Sequence, residues 1–188
     1  MPEGTRNRGI EIQLLVQPSG EEPRVEWLLF DEKGPFDDQG HFDYPLTGAM
    51  LSLEVTSGVG GHVLRIDGEA LPHVQASGFL DVGVIDARPL LRSHRMTLRA
   101  AEGSPTGKVR VGMWFGPPLP DVALGSRQFP PVPVGSELEW LLPLDEATIY
   151  FLVEHASGPN PETDWMGGPQ QLFGPFSSRQ LPGELVLD

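Results

Sequence analysis

Asp31, Asp37, Asp38 and Asp43 lie in one stretch of the chain, DEKGPFDDQGHFDYP over 31–45, and form its densest run of hard oxygen donors. Carboxylates carried on a loop are the ligands Ca²⁺ prefers, so this stretch is the candidate calcium site. The five histidines, His41, His62, His73, His94 and His155, are scattered, and no two stand at i, i+2 or i, i+4. Local zinc pairing on one strand or one helix face is therefore absent. Ser157, His155 and Asp145 supply the residue types of a nucleophilic set, but nothing in their spacing requires one. Gly58-Val59-Gly60-Gly61 follows one apolar run and precedes another. A phosphate cradle needs a helix after its glycines, so these glycines predict a hairpin turn with positive φ.

The remaining candidates are for contact. HRMTLRAA over 94–101 and GKVRVGMWF over 107–115 both alternate apolar and polar residues. Side chains on a strand alternate between faces. This alternation predicts a half-buried hairpin presenting Arg95, Arg99, Lys108 and Arg110 outward, with Trp114 on the same parity and at least partly exposed. From residue 129 onward Arg179 is the only cation, while Glu137, Glu139, Asp145, Glu146, Glu154, Glu162 and Asp164 gather there. Cationic and anionic regions on one chain permit head-to-tail association. Arg95, Arg99, Lys108, Arg110, Trp114 and Trp165 are accordingly the expected interface. The plainer expectation for the cations is neutralisation by acids on neighbouring strands. Tyr44, Trp114 and Trp165 would serve equally as stacking platforms for a glycan. Trp27 and Trp140, on apolar parity, belong to the core.

Period-two runs must carry these residues. Ile10–Val16, Val25–Leu29, Leu51–Val55, Leu64–Ile66, Leu80–Val84, the two hairpin strands, Leu138–Leu142, Ile149–Val153 and Leu185–Leu187 give about ten strands separated by Gly, Pro, Asp and Ser. His62 shares parity with Leu64 and Ile66 and is expected partly buried. Residues 145–155 open with acids, as a helix would, but Thr148, Ile149, Tyr150, Phe151 and Val153 favour strand. A single helical turn is expected around Ala87–Arg92. The proline-rich stretch 116–135 predicts an extended, unpaired crossover, because proline cannot donate to a ladder. Residues 157–182 predict an extended loop whose aromatics pack on the sheet or on a partner.

The chain has 188 residues, a formal net charge of -13 and no cysteine. It is expected to form a single all-β sandwich spanning 1–188. The anionic balance disfavours nucleic acid, and disulfides and thiolate metal sites are impossible. No apolar leader opens the chain and no run reaches membrane-spanning length, so the expectation is cytoplasmic synthesis without membrane insertion.

VLRIDGEALP over 63–72 and FLDVGVIDARPLLRSHRMTLRA over 79–100 resemble segments of the galactose-binding-like jelly-roll modules attached to many glycosidases. The resemblance covers about residues 62–100 and implies jelly-roll topology and sugar binding. The matching segments are framework, so it assigns no binding residue. Together these features predict a jelly-roll-like antiparallel sandwich acting as a non-enzymatic assembly subunit, such as a virion capsid, decoration or tail component. The alternatives are a carbohydrate-binding module and a β-barrel enzyme. The expected partners are proteins or further copies of the chain, with no cofactor other than calcium.

Overall fold

The computed structural model describes residues 10–29, 44–58, 60–70, 82–104, 107–119, 131–158 and 168–188, with the backbone alone at 10, 11 and 27–29. The chain is an all-β sandwich. Its strands are β1 (Ile10–Gln17), β2 (Arg24–Leu29), β3 (Ala49–Ser57), β4 (Gly61–Asp67), β5 (Leu91–Ala100), β6 (Lys108–Phe115), β7 (Val132–Pro133), β8 (Glu137–Pro143), β9 (Thr148–His155), β10 (Gln170–Ser177) and β11 (Glu184–Leu187). They form three sheets, ordered β2-β1-β3-β4, β10-β9-β6-β7 and β11-β5-β8. Among the described residues, all pairings are antiparallel except β11 with β5.

The main core lies between the second and third sheets. Met96 and Leu98 of β5, Leu138, Trp140 and Leu142 of β8, and Leu185 and Leu187 of β11 face Val109, Val111 and Met113 of β6 and Ile149, Phe151 and Val153 of β9. Trp140 and Phe151 meet at 5.7 Å between ring centroids, tilted by 55°. A second core gathers Ile12, Leu14, Val16, Leu53 and Val55 of the first sheet with Leu91 and Leu141, which lie on the other parity of β5 and β8. The Ser57 hydroxyl donates to the Leu141 carbonyl at this junction. The β3–β4 turn reaches the end of β6, where a side chain at Gly58 would strike Met113 and one at Gly61 would strike Phe115.

Four expectations are corrected here. First, β5 and β6 do not form a hairpin: β5 pairs with β8 and β11, and β6 with β9 and β7. Their apolar faces look at each other across the sandwich. Alternation specifies which face is buried, and either arrangement satisfies it. Second, the run through Leu80–Val84 forms no strand over 82–87, and Val84 is exposed. Gly83 has φ of 66°, a left-handed conformation that an extended strand cannot pass through. Third, the stretch 157–182 contains β10, which pairs with β9 and interrupts its register between Phe173 and Phe176, around Pro175. Phe173 and Phe176 pack on the main core. An edge position and a register break accommodate a residue with no N–H. Fourth, Val132 and Pro133 of the crossover pair with Val109 and Lys108.

Other readings match. Residues 148–155 are strand, and a single 3-10 turn spans Arg88–Leu90. Gly58 and Gly60 take φ of 57° and 85° in the β3–β4 turn. Trp140 is fully buried.

Candidate interaction site

The outer face of the third sheet carries exposed cations in register with acids. On β5 the outward parity carries Ser93, Arg95, Thr97 and Arg99. Arg95 lies directly opposite Glu139 of β8, and Thr97 opposite Glu137. The Arg95 guanidinium is 3.6 Å from Glu139 and 3.8 Å from Glu137. Arg99 is 3.6 Å from Glu184 of β11. The side chains of Arg95 and Arg99 are 64% and 68% exposed. The Ser93 hydroxyl donates to Glu139 and helps to hold it. These are long, solvated pairs, the kind that contributes little to stability. Neutralisation across strands, the plainer expectation for these cations, therefore applies to Arg95 and Arg99, and both remain accessible.

Arg110 and Trp114 do not join them. They belong to the outward parity of β6 in the other sheet, and Arg110 is buried there rather than exposed. Its guanidinium is 3.7 Å from Glu154 of β9, directly opposite in register, with both side chains almost wholly shielded. The Gln170 amide of β10 reaches Glu154 at 3.4 Å, so a polar row crosses three strands. Burial pushes the Arg110 guanidinium below its usual value, and the Glu154 carboxylate opposes that shift. Trp114 is 7% exposed, so the expected stacking or contact surface is a packed side chain. β6 and β9 are buried on both faces, which a strand reading based on one buried face does not anticipate. Lys108 is half-buried at the start of β6.

The remaining candidates disperse. Tyr44 packs against the second core, and nearby Glu26 of β2 is held by Thr47 at 2.6 Å and Arg24 at 3.2 Å. The Thr47 hydrogen bond chiefly lowers the Glu26 pKa, while burial, with Glu26 beside it, raises that of Tyr44. Trp165 and the aspartates Asp31, Asp37, Asp38 and Asp43 lie outside the described residues, as do His41 and His73. His62 is corrected: a bulge between Val55 and Thr56 shifts its register, and its side chain is 57% exposed beside Glu54. His94 Nε2 donates to the Pro182 carbonyl at 2.9 Å. Asp145 and His155 flank opposite ends of β9, a strand of eight residues that spans roughly 23 Å. Ser157, His155 and Asp145 therefore form no nucleophilic set. Among the described residues, no group of three or more His, Asp or Glu side chains is placed to hold a metal ion. No described helix is long and apolar enough to cross a membrane.

Sequence reasoning missed Glu154 as the partner of Arg110. The available signal was that both sit on the non-core parity of strongly apolar strands. Arg92 was also missed. It has core parity at the start of β5, although it is an arginine. No family model, curated protein or solved structure matches the chain.

Proposed function

We propose that the chain is a non-catalytic structural subunit that assembles with further copies of itself, as virion capsid, decoration and tail components do. The observation that carries this reading is the exposed part of the third sheet's outer face, beyond Leu91 and Leu141, which pack on the first sheet. There Arg95 and Arg99 stand exposed in loose pairs that an incoming carboxylate can displace at little expense. Carboxylates are in surplus: among the described residues, Glu22, Glu69, Glu102 and Asp145 are exposed and pair with no cation. A face that accepts carboxylates and a surface that offers them suit heterologous, head-to-tail contacts. In this reading the chain is made in the cytoplasm and incorporated into a particle.

Sedimentation of the full chain across protein concentration and salt tests the proposal. Self-association is expected at low salt, weakening as salt screens the contacts. Reversal of both cations, Arg95→Glu with Arg99→Glu, is expected to abolish it. A chain that stays monomeric at high concentration and low salt rejects the reading. So does association that is indifferent to the double reversal.

A further inference from the structure

Arg92 stands apart from every other described arginine. Arg24, Arg65, Arg88, Arg95, Arg99, Arg110 and Arg179 each lie within 4.0 Å of a carboxylate. Among the described residues no carboxylate pairs with Arg92. Its Nε and Nη2 are shielded from solvent and make no hydrogen bond. A guanidinium with two shielded, unmet donors is a costly thing to keep in a fold. The site is also shaped. Arg92, the second residue of β5, lies opposite Leu142, on the parity that leads inward to Met96 and Leu98. Beside it Leu90 and Leu144 are joined by a backbone hydrogen bond of 3.1 Å and expose their side chains. At the start of β5 a planar cationic fork, its Nε–Nη2 edge turned into the protein, therefore lies next to an apolar shoulder.

We propose that Arg92 is a carboxylate-binding site, and that its natural occupant is an acidic side chain of a second copy. Arg92 as a whole is only partly buried, so a turn of its side chain can bring the unmet Nε–Nη2 edge to a carboxylate, whose two oxygens match it in a pairing that guanidinium geometry favours. The choice of a second copy follows from charge complementarity with the exposed carboxylates that pair with no described cation, and it rests on the assembly reading above. The Arg92 site differs from Arg95 and Arg99 in being shielded, so a contact made here resists salt better.

Two measurements on the full chain test this. In the first, the Arg92 Nε–Hε resonance, assigned by its loss in Arg92→Lys, is followed during titration with sodium succinate and with sodium chloride at matched ionic strength. A saturable shift with succinate alone is expected. In the second, sedimentation compares wild type with Arg92→Met. Association is expected to weaken about 30-fold or more, while the melting temperature of the variant stays level or rises, because an apolar side chain leaves no donor unmet. Arg92→Lys keeps the charge but loses the fork, and it is expected to fall between them. No succinate shift together with unchanged association of Arg92→Met overturns the inference and leaves the assembly reading standing if the wild type assembles. A monomeric chain whose Arg92 signal still follows succinate keeps the carboxylate site and rejects the second copy as its source.

Discussion

Arg110–Glu154 and Arg95–Glu139 are the same device in two settings. Each joins adjacent antiparallel strands at directly opposed positions. Each has its closest charged atoms 3.6–3.7 Å apart. The first pair is shielded on a sheet whose two central strands are buried on both faces, and the second stands in water. Coulomb attraction grows as the local dielectric falls, and so does the penalty for leaving either partner alone. Identical geometry therefore means different things. In the second sheet the pair fixes which residue of β6 meets which residue of β9. In the third sheet it is a solvated contact that can be exchanged.

The largest effect that tests this contrast comes from breaking the buried pair. Glu154→Ala leaves the Arg110 guanidinium shielded without its carboxylate and is expected to lower unfolding stability by about 3–5 kcal/mol. Urea denaturation measures it. A loss below about 1 kcal/mol would show that the two settings are equivalent. Replacing both partners sharpens the same point. The double variant Arg110→Met with Glu154→Leu removes both desolvation penalties, and is expected to recover most of the loss or to exceed the wild type. Because the unpaired alternatives are apolar, the register of β6 on β9 becomes less strongly specified. Broadened amide resonances along both strands would report this.

The buried pair also shows where reading the sequence runs out. Alternation revealed the buried parity of β5, β6, β8 and β9, because burying one face of a strand requires it. That parity holds for Met96, Leu98, Val109, Val111, Trp140 and Phe151 alike. It says nothing about whether two such strands lie side by side or face to face, so β5 and β6 read as a hairpin. Nor does it reveal a second buried face: Arg110 on polar parity reads as solvent-facing, and its partner is 44 positions away. Two local irregularities were equally invisible. The bulge at Val55/Thr56 puts His62 on the wrong count, and the left-handed Gly83 ends a run whose side chains still alternate.

Between the two extremes lies the Arg24–Glu26–Thr47 cluster, where Glu26 is largely shielded and Arg24 is half exposed. The Thr47 hydroxyl is the chief reason that the Glu26 pKa lies below its ordinary 4.5. A depressed carboxylate pKa stabilises the fold above the unfolded value, and the contribution is lost as pH falls through the folded value. Thr47→Val is expected to raise the Glu26 pKa, read by carboxyl NMR, and to destabilise the fold by about 1 kcal/mol near neutral pH. The deficit should shrink as the pH drops and Glu26 protonates. A deficit of equal size at acid pH would assign the effect to packing of Thr47 and not to charge.

The smallest effect belongs to the exposed pair, and its smallness is what the comparison needs. Arg95→Ala removes a guanidinium that is mostly in water, and Glu139 keeps the hydroxyl of Ser93. Solvent repairs the rest, so stability in urea should change by no more than about 0.5 kcal/mol. If assembly proceeds through this face, the same substitution should weaken association far more than it weakens the fold. The energy withheld from the monomer is then spent at the contact. Equal and substantial losses in both measurements would mean that Arg95 is structural after all. The third sheet would then be no more open to a partner than the buried row across β6, β9 and β10.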